Sequence, residues 1–318
     1  MIKLVYWIIF FIGFPYLIIK SLVSLILPIA TLYFIYCNFV APKLREKPES
    51  SYKGKVVIIT GASSGIGAEI ARKYAILGCK VAIVARRLEQ LEKVKSNIIK
   101  DYSRVKEDDI LVIRGDLTIV DDCKNMVEKV IDKWSKIDIC IWNAGSGSLI
   151  EFSKLQGDIS IYRENMELNY FSLVNCTHLV YKYLEQSHGS IVVISSLAGK
   201  FGTALRTSYS SSKHAVMGFF NSLRNETKNI QITIICPGFI LTEFHDNLKT
   251  LDGKQVERNK GNFMTASQCA TEIVLAERQG VRELIQTAKG RVGNYLQAIF
   301  PELIEFLTHK FASASVKK

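Results

Sequence analysis

Tyr209 and Lys213 have the side chains and the spacing of an acid–base pair. They stand at the two ends of Tyr209-Ser210-Ser211-Ser212-Lys213, in a stretch with helical periodicity, so both side chains project from one helix face. A phenol has a pKa of about 10 and exchanges protons poorly at neutral pH, but an adjacent ammonium stabilises its anion. Lys213 is therefore expected to lower the pKa of Tyr209 and make it an acid–base catalyst. The same spacing is common on exposed helices, so the prediction depends on the residues around it.

A glycine-rich turn follows the first predicted strand, Val56 to Thr60, and leads into a predicted helix, Ala68 to Leu77. Glycines let the backbone turn tightly and approach a pyrophosphate, whose charge then meets free N–H groups and the positive end of the helix dipole. The turn predicts a dinucleotide site rather than a purely structural turn. Its candidate binding residues are Gly61, Ser63, Ser64, Gly65, Ile66 and Gly67.

Two arginines, Arg86 and Arg87, follow the second predicted strand, about 20 residues past the glycine turn. An NAD site favours Asp or Glu there, for the adenosine ribose hydroxyls, whereas a guanidinium can hold a 2′-phosphate with two hydrogen bonds. The pair therefore predicts NADP (NADPH), with selectivity resting mainly on Arg86. The alternative is two solvated arginines at the start of a helix.

Strand-like and helix-like segments alternate after residue 53. Continuous apolar strands that alternate with helices indicate a parallel sheet covered on both faces, so the predicted fold class is α/β, a doubly wound parallel sheet of Rossmann type in a single domain. The predicted strands are Val56 to Thr60, Val81 to Ala85, Ile110 to Arg114, Ile137 to Trp142, Ile191 to Ser195 and Ile232 to Cys236. The predicted helices are Ala68 to Leu77, Leu88 to Asp101, Asp121 to Trp134, Ser160 to Gln186 and Thr207 to Asn229.

The composition excludes several classes of protein. Of the 318 residues, 48% are apolar, which is too many for a disordered chain. Seven scattered cysteines without a C-x-x-C pair, and five histidines without a ligand-like spacing, argue against a disulfide scaffold and predict no metal site. The net charge of +11 occurs without a run of five basic residues, so nucleic acid is not an expected partner.

Residues 1–40 form a predicted hydrophobic membrane anchor whose only charges are Lys3 and Lys20. From Ser21 to Val40 there are 20 uncharged residues, about the number that crosses a hydrocarbon core as a helix. The stretch from Leu4 to Ile19 is a second tilted span, a re-entrant segment or part of one long anchor. A cleaved signal peptide is the alternative, although no small-residue cleavage signature precedes the polar sequence.

Three further segments follow the anchor. Residues 41–52 are a predicted linker, residues 53–290 the Rossmann-type catalytic domain, and residues 291–318 a C-terminal amphipathic extension. The extension is expected to pack on the domain, on a partner subunit or on a membrane surface. Basic residues dominate just after the anchor, which favours a cytoplasmic catalytic domain.

The ordered set of motifs resembles the short-chain dehydrogenase/reductase family over residues 53 to 285. Besides the glycine turn and Tyr209 with Lys213, the resemblance rests on a serine 13 residues before Tyr209 and on motifs at the ends of predicted strands. These further motifs are Asp116-Leu117-Thr118, Asn143-Ala144-Gly145, Asn169, Ser196, and Pro237-Gly238 followed by Ile240 and Thr242.

The resemblance implies a role for each motif. Asp116, followed by Leu117, would hold the adenine amino group, Lys213 would hold the nicotinamide ribose, and Tyr209 would also contact the cofactor. Ser196 and Tyr209 would bind the substrate carbonyl, while Asn169 would complete a water relay to Lys213. The remaining implied cofactor contacts are Asn143, Ala144, Gly145, Pro237, Gly238, Ile240 and Thr242. Two departures from the family pattern are Ser64, where some NADP-dependent relatives have a basic residue, and Trp142, where relatives often have Asn.

A finer resemblance comes from Ser195 to Phe201 and Tyr209 to Ala215, which look like the membrane-anchored branch that contains 11-beta-hydroxysteroid dehydrogenase type 1 and dehydrogenase/reductase member 7 proteins. It implies NADP(H)-dependent conversion between a secondary alcohol and a ketone on a lipophilic substrate (steroid, retinoid or other lipid). It also implies an endoplasmic reticulum membrane and a homodimer or homotetramer. The alternatives are a ketone reductase of acyl-lipid synthesis, acting on a 3-ketoacyl-CoA or an acyl ketone phosphate, and a non-catalytic NADP-binding scaffold.

Overall fold

The computed structural model describes the backbone of residues 14–251 and 263–314, in two compact units, Met1–Glu46 and Lys47–Lys318. The first unit contains helix α1 (Phe14–Ile35), a π-helical turn (Tyr36–Val40) and the short helix α2 (Ala41–Leu44). Within the described residues, one helical stretch, Ser24–Leu44, is long and apolar enough to cross a membrane, with a mean hydropathy of 1.8. Most of the other predicted apolar segment, residues 4–13, lies outside the described residues.

The second unit is built on a seven-stranded parallel sheet of order β3-β2-β1-β4-β5-β6-β9. This confirms the predicted doubly wound fold. The strands of the sheet are β1 (Val56–Thr60), β2 (Lys80–Ala85), β3 (Ile110–Arg114), β4 (Ile139–Trp142), β5 (Ser190–Ile194), β6 (Gln231–Cys236) and β9 (Glu283–Ile285). A separate two-residue ladder joins β7 (Ile240–Leu241) to β8 (Met264–Thr265).

Helices cover both faces of the sheet because its central strands are apolar on both sides, with every residue of β1, β4 and β5 buried. One apolar core lies under α5 (Val120–Trp134), α7 (Ser172–Ser187) and α8 (Thr207–Glu226). The other lies under α3 (Gly65–Ile76), α4 (Leu88–Asp101) and α9 (Ala266–Arg278). The two cores hold the strands in place, and they thereby fix the positions of the strand ends, where the motifs lie.

The helix predicted over 160–186 is interrupted. Helix α6 (Ser160–Met166) and helix α7 are separated by a π-helical turn, Glu167–Phe171, which contains the buried Asn169. A π turn accommodates one extra residue within a helix and occurs frequently at functional sites. The apolar periodicity on either side does not reveal it.

The predicted linker, residues 41–52, is divided between the two compact units, and residues 47–52 belong to the second. Tyr52 is fully buried, and its hydroxyl donates to the Oε2 of Glu277, a fully buried carboxylate on α9. The Oε1 of Glu277 accepts from the Ser190 hydroxyl at 2.7 Å and lies 3.4 Å from the Lys47 Nζ. Glu277, the partner that fixes this segment, lies more than 200 residues away in the chain. The sequence near Tyr52 does not reveal this contact, and its polar composition therefore predicted a linker.

Helices α10 (Ala288–Gln297) and α11 (Pro301–Ala314) end the described chain, and the predicted start of the extension at residue 291 falls inside α10. Helix α11 begins at Pro301, as expected for a residue that fits the first turn of a helix. On α11, Ile304 is buried, while Leu303 and Phe306 are exposed.

Candidate active site

A cavity of about 550 Å³ opens along the carboxyl ends of the parallel strands. Ligands of open α/β sheets bind at this edge. The structure brings nearly all the predicted site residues together here: all except Gly67 and Asn169 line the cavity. Those two residues contact the lining instead: Gly67 packs against Gly61, and Asn169 is hydrogen-bonded to Ser146.

The glycine turn lies between β1 and α3. Gly61 and Gly65 have φ angles of +65° and +58°, which L side chains rarely adopt. A Cβ on Gly67 would lie 2.4 Å from the carbonyl oxygen of Gly61, so this position needs glycine for close packing. Ser64 makes no side-chain cap on α3, which leaves N–H donors of the first helical turn available to an anion. The Asn143 side chain braces the turn by donating to the carbonyls of Thr60 (3.0 Å) and Gly61 (3.1 Å).

The two arginines after β2 have different surroundings. Arg87 donates from Nη2 to the hydroxyls of Ser63 (3.1 Å) and Ser64 (3.0 Å), and the same nitrogen lies 3.5 Å from Glu243 Oε2. Arg86 is more exposed, and its Nη1 lies 3.7 Å from Asp116 Oδ2. The sequence predicted that selectivity for NADP rests mainly on Arg86, whereas in the structure Arg87 is the arginine whose side chain contacts the glycine turn.

Tyr209 and Lys213 project from α8 into the cavity and are only 5% and 4% exposed. The Lys213 Nζ donates to the Ile194 carbonyl at 2.9 Å and lies 5.8 Å from the Tyr209 ring centroid. Burial lowers the pKa of Lys213 to about 8. The ammonium is thus held at the end of β5 rather than on the phenol oxygen.

The expected depression of the Tyr209 pKa by Lys213 is wrong for this structure. Burial raises the pKa of Tyr209 above its ordinary value, while a hydrogen bond with Ser196 and the positive charge of Arg206 lower it to a smaller extent. Desolvation is the largest influence because the phenol is buried, and Lys213 is not among the groups that offset it. Burial therefore keeps Tyr209 protonated at neutral pH.

Ser196 follows β5 and has a hydroxyl that both shapes the backbone and reaches the phenol. Its Oγ accepts from the Ala198 N–H at 3.1 Å, which caps the short turn Leu197–Gly199. Ser195 lies beside it, but its hydroxyl is directed to the Lys213 carbonyl at 3.4 Å. This difference agrees with the choice of Ser196 over Ser195 as the substrate-binding serine, which stays a prediction.

Asn169 is fully buried in the π turn and links two parts of the site. Its Oδ1 accepts from the Ser146 N–H at 2.8 Å, and its Nδ2 donates to the Ser146 carbonyl and to the Ser212 hydroxyl, each at 2.9 Å. These bonds fix the loop after β4 against α8. The side chain thereby positions Gly145 and Lys213, and the predicted water relay to Lys213 stays a prediction.

Two polar residues of the site were missed from the sequence. Asn165 is fully buried on α6 and joins the hydroxyls of Ser146, Ser148 and Ser208 at 3.0 to 3.1 Å. The signal available was its spacing, because Asn165 precedes Asn169 by four residues on one predicted helix. The second residue is Arg206, three positions before Tyr209, whose guanidinium carbon lies 5.8 Å from the Tyr209 ring centroid.

Aromatic side chains form the outer wall of the cavity near Tyr209. The Phe244 ring centroid lies 6.0 Å from that of Tyr209, and Phe239 stacks on His245 at 5.1 Å. Phe239 also lies 5.6 Å from Phe263. This end of the cavity offers apolar surface, in contrast to the arginines and hydroxyls around the glycine turn.

Comparison with known proteins decides the family. The short chain dehydrogenase family model matches residues 55–252, which is more than half of the chain. The chain belongs to the short-chain dehydrogenase/reductase family. Membership makes it an oxidoreductase whose fold neighbours bind nicotinamide cofactors.

This short-chain dehydrogenase/reductase has relatives of high and moderate similarity. It is 89% identical over 313 residues to "Dehydrogenase/reductase SDR family protein 7-like" of Dictyostelium discoideum, covering 98% of this chain and 99% of that protein. It is 32% identical to "11-beta-hydroxysteroid dehydrogenase A" of Sesamum indicum, covering 80% of this chain and 74% of that protein. It is 30% identical to "Dehydrogenase/reductase SDR family member 7" of Homo sapiens, covering 86% of this chain and 82% of that protein.

Solved structures of other proteins share the fold of this short-chain dehydrogenase/reductase. An alcohol dehydrogenase from the archaeon Thermococcus sibiricus, complexed with 5-hydroxy-NADP, aligns with a TM-score of 0.64 and 22% identity, over 73% of this chain and 96% of that one. A short-chain dehydrogenase/reductase from Burkholderia phymatum, in complex with NAD, aligns with a TM-score of 0.69 and 19% identity, over 79% and 95%. One neighbour holds an NADP derivative and the other NAD, so these structures do not choose between the two dinucleotides.

Proposed function

We propose that this protein is an NADP(H)-dependent oxidoreductase that interconverts a secondary alcohol and a ketone on a lipophilic substrate. The observation that carries the proposal is the convergence of Tyr209, Ser196 and Lys213 on one cavity that also contains the glycine turn. The bound nicotinamide supplies or accepts the hydride. The chain's own residues bind the carbonyl and exchange the proton.

In ketone reduction, the Ser196 hydroxyl holds the carbonyl oxygen beside the Tyr209 phenol, which donates its proton as charge develops on that oxygen. Burial keeps Tyr209 protonated at neutral pH, which is the form that a proton donor needs. Alcohol oxidation requires the phenolate. The positive charge of Arg206, whose guanidinium carbon lies 5.8 Å from the Tyr209 ring centroid, stabilises that anion.

The preference for NADP(H) rests on the residues after β2. Arg86 and Arg87 both line the cavity there, and no acidic residue lies between β2 and the first residue of α4. Arg87 is already oriented by the hydroxyls of Ser63 and Ser64. A guanidinium in this position accommodates a 2′-phosphate on the adenosine ribose.

A lipophilic substrate and a membrane location are supported together. The aromatic wall offers an apolar surface next to Tyr209, and the apolar stretch Ser24–Leu44 suits a membrane anchor. Relatives named for 11-beta-hydroxysteroids agree with this choice. We place the protein in the endoplasmic reticulum membrane with the catalytic domain on the cytoplasmic side, on the basis of Lys43, Arg45 and Lys47 after the span. Protection of the domain from protease in sealed microsomes would refute that orientation.

The deciding experiment measures NADPH oxidation by the full-length protein in neutral detergent, over steroid, retinoid and acyl-chain ketones. Tyr209→Phe should lower kcat by about 10² to 10⁴-fold without loss of NADPH binding. Tyr181→Phe is the matched control, because its hydroxyl contacts only Glu185 on α7, and it should keep wild-type activity. Full turnover by Tyr209→Phe would refute the mechanism, and NADPH binding without turnover of any ketone would favour a binding scaffold.

The cofactor preference is measured with the same assay. Arg87→Ala should reduce the ratio of kcat/KM for NADPH over NADH by about 10 to 100-fold, because a charged hydrogen bond to the phosphate is lost. Equal use of NADH and NADPH by the wild-type protein would refute the assignment of both arginines.

A further inference from the structure

Arg206 places a positive charge beside the reacting residues. It directly precedes α8, lines the cavity and is half-buried. Its guanidinium carbon lies 5.8 Å from the Tyr209 ring centroid and 5.9 Å from that of Phe239. The charge therefore lies between the proton donor and the aromatic wall.

The other cations of the cavity have partners, and Arg206 differs from them. Arg86 lies near Asp116, Arg87 near Glu243, and Lys249 contacts Glu164. Lys213 is bonded to a backbone carbonyl. Among the residues that the structure describes, Arg206 has neither a carboxylate partner nor a side-chain hydrogen bond, and only the two aromatic rings contact its charge.

A partly desolvated guanidinium without an acceptor is unfavourable, because its N–H donors have lost part of their hydration and gained no hydrogen bond within the protein. Its position identifies the kind of group that would satisfy it. The glycine turn and the arginines after β2 serve the dinucleotide, whereas Arg206 lies against Tyr209, where the substrate reacts. An anion at Arg206 therefore belongs to the substrate.

We propose that Arg206 binds an anionic group of the substrate, and that the substrate is a lipid ketone or alcohol with a carboxylate or phosphate a few ångströms from its reacting carbon. The fork of a guanidinium matches either group with two parallel hydrogen bonds. The apolar chain of the substrate lies along Phe239 and Phe244. This inference rests on the proposed function and narrows its substrate class.

The test uses two pairs of ketones that differ only in charge: 1-palmitoyl dihydroxyacetone with its phosphate, and the methyl ester of 4-oxopalmitic acid with the free acid. The full-length wild-type protein in neutral detergent should show a kcat/KM about 10 to 100-fold higher for the charged member of at least one pair, the range expected for a charged hydrogen bond. The favoured pair separates phosphate from carboxylate recognition.

Arg206→Gln should abolish that preference mainly through KM and leave NADPH binding unchanged, while the loss of its charge near Tyr209 should change kcat equally for charged and neutral ketones. Arg206→Lys should restore part of it because the charge returns without the fork. Arg104→Gln, at an exposed arginine outside the cavity, is the matched control and should behave as the wild type. A loss of kcat that is equal for charged and neutral ketones, with the preference for the charged member unchanged, would show that Arg206 acts only on Tyr209 and would overturn the proposal.

A binding measurement separates this inference from the proposed function. In the presence of NADPH, the charged ketone should raise the melting temperature of the wild-type protein more than that of Arg206→Gln, whether or not turnover occurs. Such a difference without turnover would refute the proposed activity and support the anion site. No advantage of either charged ketone, in turnover or in melting temperature, would overturn the inference.

Discussion

Lys213 should reduce the stability of the fold that it serves. The side chain is only 4% exposed, and burial lowers its pKa from the ordinary value of 10.5 to about 8. At about 1.4 kcal/mol for each pH unit between these values, the ionised side chain destabilises the folded protein by about 3 kcal/mol at pH 7. Lys213→Met removes the charge from a side chain of similar length but loses the bond to the Ile194 carbonyl, worth about 1 to 2 kcal/mol. The variant should therefore be more stable by about 1 to 2 kcal/mol and inactive.

The sign of the pH dependence follows from linkage. Lys213 releases its proton more readily when folded, so the unfolded chain binds more protons between pH 8 and 10.5, and the stability of the wild type rises with pH in that window. The destabilisation is complete below pH 8 and vanishes above 10.5. By pH 9.5 it should have fallen by about 2 kcal/mol, so the advantage of Lys213→Met should disappear there.

Melting temperatures of the full-length protein in neutral detergent, without nucleotide, measure this effect at pH 7.0 and 9.5. At about 2 to 4 °C for each kcal/mol, Lys213→Met should melt higher than the wild type by about 2 to 8 °C at pH 7.0. Lys129→Met, at an exposed lysine on α5, is the control and should change little at either pH. A variant that melts below the wild type at pH 7.0, or a difference that does not depend on pH, would refute the reasoning.

Two further substitutions test the packing behind the site. Glu277→Gln should lower the free energy of unfolding by about 2 to 3 kcal/mol in chemical denaturation, because an amide replaces one of two buried acceptor oxygens; Glu151→Gln, in an exposed ion pair, should change it little, and equal effects would contradict the assigned anchor. Gly67→Ala should weaken NADPH binding at least tenfold, because its Cβ would collide with the Gly61 carbonyl, and fluorescence titration measures the loss. Gly218→Ala is its control, since a Cβ there has open space, and unchanged binding in both variants would refute the clash.

The sequence predicted the fold well where local composition reflects burial. Six strands of the parallel sheet are mostly apolar because helices cover both faces of the sheet. Several motifs directly follow these strands in the sequence, so their position at the edge of the sheet could be predicted. Strand β9 was missed because it has only three residues and begins with Glu283. The π turn at Glu167–Phe171 was missed because one inserted residue hardly changes helical periodicity.

The sequence predicted which residues form the site better than it predicted their pKa values. Most motif residues lie together because they follow strands of one parallel sheet, whose carboxyl ends meet at one edge, and Tyr209 and Lys213 join them from α8. The pKa of Tyr209 depends on burial and on the distance to each cation, so its direction could not be read from the i and i+4 spacing with Lys213. Arg206 and the contact of Tyr52 with Glu277 were missed for a related reason, because their importance comes from neighbours that only the fold supplies.

The two-residue ladder between β7 and β8 has a consequence for how this protein changes over evolutionary time. Ile240 pairs with Met264, and Leu241 with Thr265. This pairing is separate from the seven-stranded sheet, and it holds the two ends of the connection between β7 and β8 together, directly before α9. Lengthening a loop closed in this way is inexpensive, at about 0.6 kcal/mol for each doubling. We therefore expect changes in the length of the connection between the two strands to cost the fold little stability, while Thr242 and Phe244, which line the cavity, tie its first residues to the site.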